Sequence, residues 1–466
     1  MRAIDLSTKI SSNIRGLTRE ERRAKGKALR DRLPRLSHAE WHAPANRQNP
    51  IDLLIKSDQG RLPQLIPIRY GRMMQSPFTF YRGASAIMAA DLAFLPKSDI
   101  YVQACGDCHL MNFGGLATPE RRIIFDINDF DETLPAPWEW DVKRLTTSFV
   151  IAARQNGFAK TDALEVAVRC IQSYHEHMET YSEMSPLDMW YDRIETKELL
   201  ESLHSRKWKK WKEILQDHID KESSRTVEEY DFPQLATVKN GKVMIKDSHP
   251  LIFHLSSLGL EQYHKVVLDI FSQYRKSLTD HHKAIVDRYE IKDFAVKVAG
   301  VGSVGFFCAI LLLMTSDNDV LFLQVKEAQA SVLEQYIGKS VYHNHGHRVV
   351  AGQKLMQSAS DMFLGWTKGP SRDYYIRQLR DIKIKPRVEA FDEHAMSKYA
   401  EWCGWALARA HAKSGDAVMI SGYLGNSEEF DEAITNFALN YAEQNQKDYK
   451  VFVKAIGVGK IEVKNE

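Results

Sequence analysis

The segment FAVKVAGVGSVGFFCAILLLMTSDNDVLFLQVK, residues 294–326, places a glycine cluster between apolar, strand-like runs. The cluster GVGSVG (300–305) matches the pattern G-x-G-x-x-G, which alone fits a dinucleotide-binding turn, a phosphate-covering hairpin or a tight structural turn. A dinucleotide-binding turn continues into a helix, with an acidic residue about 20 positions further on. Here an apolar run, a turn at 317–319 and another apolar run follow instead. The sequence therefore predicts three successive strands, with the glycine cluster between the first two.

The hairpin interpretation gives the glycine cluster and a lysine on the third strand the task of binding nucleotide phosphates. Lys326 ends the third run, and its side chain lies on the opposite strand face from Val325, so it can face a cleft. Glu334 is the favoured carboxylate to orient this lysine, and Glu327 is the second choice. A solvated strand lysine remains the alternative. The candidate nucleotide-binding residues are Gly300, Gly302, Ser303, Gly305, Lys326 and Glu334.

A second constellation consists of two polar loops, GDCHLMN (106–112) and DINDFDE (126–132), with strand-like residues between them. Carboxylate and amide oxygens on neighbouring loops suit a hard cation such as Mg²⁺. In phosphoryl transfer, Asp107 could accept the proton of the acceptor while Asn112 and an aspartate of the second loop hold the metal. The alternative is that these side chains only cap local turns.

The two loops resemble the catalytic segment of protein kinases and, more closely, that of aminoglycoside and choline phosphotransferases. That segment runs H-G-D-x-H-x-x-N, then a strand and I-D-F, and this chain has a cysteine in place of the first histidine. The resemblance implies that Asp107 is the catalytic base and that Asn112 and Asp129 are the Mg²⁺ ligands. It also implies that Asp141 is a structural aspartate before a helix, and its spacing favours Asp129 over Asp126 as the ligand.

The order of the segments departs from that of kinases, because the glycine hairpin follows the catalytic loop by almost 200 residues. The segment WCGWALARAH (402–411) resembles the helix that normally leads into the catalytic loop. The resemblance thus implies an α+β, two-lobed, protein kinase-like fold that is circularly permuted, with a large helical lobe and a small antiparallel-sheet lobe. The expected parts are a helical arm (1–50), a C-lobe-like part with both polar loops (51–290), an N-lobe-like nucleotide-binding sheet (291–390) and C-terminal helices that return to the helical lobe (391–466).

Most of the chain is also similar to an uncharacterised bacterial family, domain of unknown function 2252, and is identified as a member of it. The resemblance lies in segments that are long and specific: 76–83, 106–114, 125–135, 300–305 and 378–381.

Composition limits the possible partners and the compartment. The 466 residues include 63 Lys and Arg against 61 Asp and Glu, so no global field would hold the chain on nucleic acid or on a membrane. The longest apolar run, 306–314, is much shorter than the roughly 20 residues that span a bilayer. Five scattered cysteines and the lack of an apolar N-terminal segment favour a cytoplasmic protein.

The sequence predicts an ATP- and Mg²⁺-dependent phosphotransferase that acts on an unknown small-molecule or protein acceptor. One alternative is a metal-dependent phosphohydrolase that uses Asp107, His109, Asp126 and Asp129. Two others keep the nucleotide site: a pseudokinase that binds nucleotide without transfer, and a nucleotidyltransferase that holds the nucleotide in a flipped pose.

Overall fold

The computed structural model describes residues 3–4, 15–203, 208–224, 227, 231–254, 260–298, 300–379 and 383–464. These residues form a mixed α+β protein, which confirms the predicted class. The strands are β1 (Ala3–Ile4), β2 (Tyr101–Ala104), β3 (Phe113–Ala117), β4 (Ile123–Ile127), β5 (Leu134–Pro137), β6 (Ala236–Lys239), β7 (Lys242–Ile245), β8 (Ile252–Phe253), β9 (Glu290–Lys297), β10 (Cys308–Met314), β11 (Val320–Ala328), β12 (Lys339–Ser340), β13 (Gly365–Lys368), β14 (Asp373–Gln378) and β15 (Lys383–Ile384).

The helices precede, separate and follow these strands. They are α1 (Arg19–Arg32), α2 (Pro50–Lys56), α3 (Ile66–Met73), α4 (Pro77–Gly83), α5 (Ser85–Ala93), α6 (Trp138–Gln155), α7 (Lys160–Glu183), α8 (Pro186–Tyr191), α9 (Thr196–Glu201), α10 (Lys209–Ser223), α11 (Phe232–Leu235), α12 (Leu260–Ser277), α13 (Asp280–Val286), α14 (His345–Met356), α15 (Glu393–Ser414), α16 (Ala417–Leu424) and α17 (Glu429–Gly457). Among the described residues, none of these helices combines the length and the apolar character needed to cross a bilayer.

The largest sheet has six antiparallel strands in the order β13–β14–β11–β10–β9–β8. Strands β9, β10 and β11 confirm the three predicted runs, and the glycine cluster joins the first two. Every residue of β10 and β11 is buried, because both faces of the sheet are covered. Tyr274 of α12 packs with Leu311 on one face. Leu235, directly before β6, and Ile245, at the end of β7, pack with Leu312 on the other.

A smaller sheet positions the two polar loops. Strand β3 begins at Phe113, directly after the first loop, and β4 ends at Ile127, the second residue of the second loop. These two residues are paired in the antiparallel register, so both loops lie at the same end of the β3–β4 hairpin. Strand β15 adds to the other edge of β3. The hairpin therefore brings together the polar residues that the sequence places 14 or more positions apart.

Helices α6, α7, α15, α16 and α17 form the helical body. Helices α7 and α15 approach each other closely, since a Cβ atom on Gly404 would lie 2.2 Å from the carbonyl oxygen of Cys170. Helix α1 lies in the predicted N-terminal arm and packs on α16 in the same way, since a Cβ atom on Gly26 would lie 2.1 Å from the carbonyl oxygen of Met419. Small residues thus allow the helix backbones to approach closely.

The apolar spacing over 328–337 and 347–363 predicts two helices near the six-stranded sheet, and both predictions are wrong in length. The helix expected over 328–337 is only a 3₁₀ turn, Val332–Gln335, because strand β11 continues to Ala328. The helix expected over 347–363 ends at Met356, and the backbone N–H of Ser358 then donates to the carboxylate of Asp126 at 2.9 Å. A contact with a residue 232 positions away ends this helix, and local sequence does not reveal it.

Candidate functional site

A cavity of about 730 Å³ lies where the two polar loops, the glycine turn and the N-terminal helices meet. It brings together most of the residues that the sequence singled out in two distant segments. Its wall includes Asp107, His109, Asn112, Asp129, Asp131, Glu132, Gly300, Val301, Gly302, Ser303, Glu327 and Glu334. Lys326 and Gly305 do not line it, although both lie on elements that do.

Asp107, the expected base, lies on the cavity wall, and Arg144 binds one of its carboxylate oxygens. Its Oδ1 accepts two hydrogen bonds from Arg144, one of them from Nε at 2.8 Å. The other oxygen, Oδ2, lies 3.8 Å from His109 Nε2. Burial raises the pKa of the Asp107 carboxyl, although Arg144 opposes this. Burial, Arg82 and Arg144 keep the pKa of His109 well below its usual range, so this imidazole is neutral at pH 7.

The backbone of the first loop is fixed by Asp141, at the start of α6. The carboxylate of Asp141 accepts hydrogen bonds from the N–H groups of Cys105 at 2.6 Å and Gly106 at 3.0 Å, and His411 Nε2 lies 3.3 Å away. Gly106 has a φ of +83°, and a Cβ atom there would lie 2.3 Å from the carbonyl oxygen of Glu132. Asp141 therefore orients the loop that carries Asp107.

Asn112 and Asp129 present oxygen atoms of the kind that Mg²⁺ prefers. The side-chain Nδ2 of Asn112 donates to the carbonyl oxygen of Asp107 at 2.8 Å, which leaves the amide oxygen of Asn112 for another partner. The N–H of Asn128 donates to the carbonyl of Asn112 at 2.7 Å and joins the two loops. Within the described part of the chain, no group of three or more His, Cys, Asp or Glu side chains could hold a metal ion. A Mg²⁺ ion held by this pair would therefore need oxygen atoms of phosphate and water to complete its coordination.

Asp126, the other candidate ligand, is fully buried in an ion pair with Arg409 at 3.0 Å. The same carboxylate accepts hydrogen bonds from Ser358, through both N–H and Oγ, and from the N–H of Ile127. Its oxygens therefore already have partners, and Asp126 does not line the cavity. The geometry favours Asp129 over Asp126 as a metal ligand.

Lys326 is held by the second polar loop. Its Nζ donates to Asp131 Oδ2 at 2.7 Å, and the hydroxyl of Tyr375 donates to Asp131 Oδ1 at 2.6 Å. Burial alone would raise the pKa of Asp131, but Lys326 and Tyr375 hold it below its usual value. The carboxylate that orients Lys326 therefore comes from the loop that also carries Asp129.

The two glutamates expected near Lys326 have other neighbours. Glu334 lies on the cavity wall, 3.9 Å from His345 Nδ1. Glu327 is fully buried and pairs with Arg372, and it accepts a hydrogen bond from the N–H of Phe307 at 2.9 Å. Glu327 thus stabilises the start of β10, directly after the glycine turn.

The glycine turn is supported from outside the sheet by the N-terminal helices. Arg72 donates to the carbonyl of Gly300, and Arg61 donates to the carbonyl of Val304. The N–H of Leu62 donates to the carbonyl of Gly305 at 2.8 Å. Sequence reasoning missed this role of residues 57–72, because no motif marks a side chain that binds a backbone carbonyl more than 200 positions away.

A family profile described as an uncharacterized protein conserved in bacteria, DUF2252, matches residues 61–455. The chain belongs to this family. The matched range contains the two polar loops, the glycine turn and Lys326, so every predicted site residue lies within the family domain. Neither the curated proteins nor the solved structures contain a match to the DUF2252 protein.

Proposed function

We propose that this DUF2252 protein is an ATP- and Mg²⁺-dependent phosphotransferase with a circularly permuted, kinase-like arrangement. The observation that carries the proposal is the cavity, in which Asp107, Asn112 and Asp129 face the glycine turn across about 730 Å³. A carboxylate base, two oxygen ligands and a glycine turn are the parts that phosphoryl transfer requires. The fold brings these parts into one cavity from segments almost 200 residues apart in the sequence, which is not expected of unrelated loops.

The path of the chain supports the permutation. Helix α15 contains the segment that resembles the helix before a kinase catalytic loop, and it ends at Ser414. A Cβ atom on the next residue, Gly415, would lie 2.6 Å from Val102 Cγ1 in β2, the strand that leads into the catalytic loop. A chain joined at this point would run from the sheet lobe through α15 into the loop of Asp107, which is the order in kinases.

Each residue has a definite task in the proposed reaction. Asp107 accepts the proton of the acceptor hydroxyl, and its raised pKa makes it a stronger base than an exposed aspartate. Asn112 and Asp129 would hold Mg²⁺, which neutralises charge on the phosphates when it is bound. The backbone of the glycine turn covers the phosphates. Arg144 and Asp141 only position the base and its loop.

The phosphohydrolase alternative is less favoured, because it requires Asp126 as a metal ligand. Removing Asp126 from its ion pair with Arg409 would leave a buried arginine without its carboxylate, which costs several kcal/mol. Nucleotidyl transfer differs from phosphoryl transfer in its products, and the products therefore distinguish the two.

The test measures ATP binding by calorimetry with and without Mg²⁺, for the wild type, Asp129→Ala and Lys326→Ala. Asp280→Ala is the matched control, since Asp280 is 99% exposed and lies on α13, far from both loops in sequence. We expect Mg²⁺-dependent binding that Asp129→Ala weakens about tenfold or more and that the control leaves unchanged. Absence of wild-type binding at millimolar ATP contradicts the proposal.

Where ATP binds, product analysis identifies the reaction. Incubation with candidate acceptors should yield ADP, and Asp107→Asn should abolish its formation while ATP binding persists. Release of AMP or pyrophosphate would show that the reaction is nucleotidyl transfer and not phosphoryl transfer.

A further inference from the structure

The cations on the cavity wall differ in whether they already have partners. Arg61 donates to two backbone carbonyls, those of Ser57 and Val304. Arg69 pairs with Asp58 at 2.8 Å and also donates to the carbonyl of Gly83. Both guanidinium groups are therefore committed to the structure of the N-terminal helices and of the glycine turn.

Three further lysines do not supply a buried cation at this wall, and one of them, Lys339, lines the cavity but is exposed. Lys56 donates to Gln335 Oε1 at 2.9 Å, at the edge of the cavity formed by α2. Lys326 is tied to Asp131 and Tyr375 and does not line the cavity. A lysine held in this way cannot approach a phosphate unless it leaves its carboxylate. The lysine that a kinase uses for its phosphates is thus occupied here.

Arg82, at the end of α4, lies on the same wall and is not committed in this way. Its Nε is buried, and no described residue accepts a hydrogen bond from it. Its carbonyl oxygen would lie 3.3 Å from a Cβ atom on Gly302, so the residue borders the glycine turn. Its guanidinium lies within the electrostatic range of Asp107 and Asp129, the base and the proposed metal ligand.

The surroundings of Arg82 favour an anion. Burial lowers the pKa of the Arg82 guanidinium. The negative charges of Asp107, Glu389 and Asp129, in decreasing order of effect, oppose this shift. An arginine stays charged in proteins, so a partly buried guanidinium whose Nε has no hydrogen-bond acceptor is unfavourable until a ligand supplies one. A phosphate offers several acceptor oxygens that match the guanidinium fork.

We propose that Arg82 binds the terminal phosphate of the nucleotide, in the role that Lys326 leaves vacant. The proposal rests on the proposed function, because it assigns one further residue to the same site. Arg82 contacts the phosphate from α4. The glycine turn contacts it from the sheet, and the metal ligands lie on the polar loops. A helix that precedes both polar loops in the sequence therefore completes the phosphate site.

The test compares Arg82→Ala and Arg82→Lys with the wild type in calorimetric titrations with Mg²⁺ plus ATP, ADP, AMP or inorganic tripolyphosphate. Arg122→Ala is the control, because Arg122 is exposed and pairs with Glu195 away from the cavity. Thermal melting confirms that each variant is folded. We expect Arg82→Ala to weaken ATP and tripolyphosphate binding about tenfold or more, to affect AMP little, and Arg82→Lys to recover part of the loss.

The outcomes separate this proposal from the proposed function. If the wild type binds ATP and folded Arg82→Ala binds it equally well, the role of Arg82 is wrong and the phosphotransferase proposal stands. Equal weakening of ATP and AMP also contradicts it, since a structural defect would act on both. If only tripolyphosphate binds, and Arg82→Ala weakens it, the anion site stands without the nucleotide. If no phosphate compound binds the wild type, both proposals fail.

Discussion

The polar loops and the glycine turn face the same cavity, but they are held in place by different means. Around the polar loops, buried carboxylates do this: Asp141 accepts from the backbone of the first loop, and Asp126 pairs with Arg409. The glycine turn is held through its carbonyl groups by Arg72 of α3 and by Arg61, which lies between α2 and α3. The loops thus depend on charges within the helical body, whereas the turn depends on a segment beyond the sheet.

The largest expected change in stability comes from a substitution that removes a buried contact beside the polar loops. Arg409→Ala leaves the Asp126 carboxylate buried without its cation, which should lower the free energy of unfolding by about 3–5 kcal/mol. Urea unfolding followed by circular dichroism measures the change. Arg122→Ala removes an exposed ion pair and should cost at most about 1 kcal/mol. Equal losses of unfolding free energy in the two variants would mean that the buried ion pair stabilises the protein no more than the exposed one.

The corresponding change in the glycine turn is Gly305→Ala. Gly305 has a φ of +96°, and a Cβ atom there would lie 3.0 Å from Arg61 Cβ. The strained backbone should cost about 1–3 kcal/mol. The loss should come with weaker ATP binding, because the turn would shift against Arg61. Gly241→Ala is the control for backbone strain alone, as its φ is +74° and no atom lies within 4 Å of its Cβ position. Similar ATP affinity in both variants would show that the position of the turn does not matter.

A smaller expected effect on stability depends on pH and comes from Glu132, the last residue of the second polar loop. Burial raises the pKa of Glu132 from 4.5 to about 7, although its carboxylate accepts a hydrogen bond from the N–H of Val332. The folded protein binds this proton more tightly, so the stability that Glu132 contributes is complete below pH 4.5 and is lost as the pH rises through 7.

Glu132→Gln should therefore gain stability relative to the wild type between pH 5 and pH 8, by about 1–2 kcal/mol because the side chain is only partly buried. Urea unfolding at the two pH values measures the difference. A constant difference between the variants across this range would contradict the raised pKa.

The smallest expected effect on stability belongs to Asp129→Ala, which removes a cavity carboxylate that accepts a hydrogen bond from the backbone N–H of Asp131 at 3.1 Å. We expect a change in unfolding free energy within about 1 kcal/mol, together with the loss of Mg²⁺-dependent ATP binding. Comparison with Arg409→Ala in the same urea series sharpens the contrast between residues that support the site and residues that bind. A large stability loss at Asp129 would move it into the supporting group.

Local sequence predicted the elements whose pattern is complete within a few residues. The strands on either side of the glycine cluster are apolar runs bounded by turns, and they form β9, β10 and β11. An Asn-Gly pair predicts a hairpin turn, and the β6–β7 hairpin turns at Asn240 and Gly241, which both have positive φ. The apolar spacing over 142–155, 162–181 and 394–411 predicts helices, and α6, α7 and α15 contain these segments and extend beyond them. The spacing over 427–452 predicts another, and α17 covers all but its first two residues.

The partners of the site residues could not be predicted, because they depend on contacts between distant segments. Lys326 and Asp131 are 195 positions apart, and Asp126 and Arg409 are 283 apart. A strand lysine followed by a glutamate eight residues later suggested a pair with Glu334, but the chain there forms only a 3₁₀ turn. The support of the glycine turn by Arg61 also needed the fold, since an arginine that binds carbonyl groups has no sequence pattern.

The most direct test of the central claim is hydrogen–deuterium exchange with and without Mg²⁺ and ATP, read for the segments 106–112 and 300–305 together. If the polar loops and the glycine turn form one nucleotide site, both segments should exchange more slowly with Mg²⁺ and ATP, and Asp129→Ala should remove the protection in both. Protection in only one segment, or in neither at saturating ATP, would contradict a shared site.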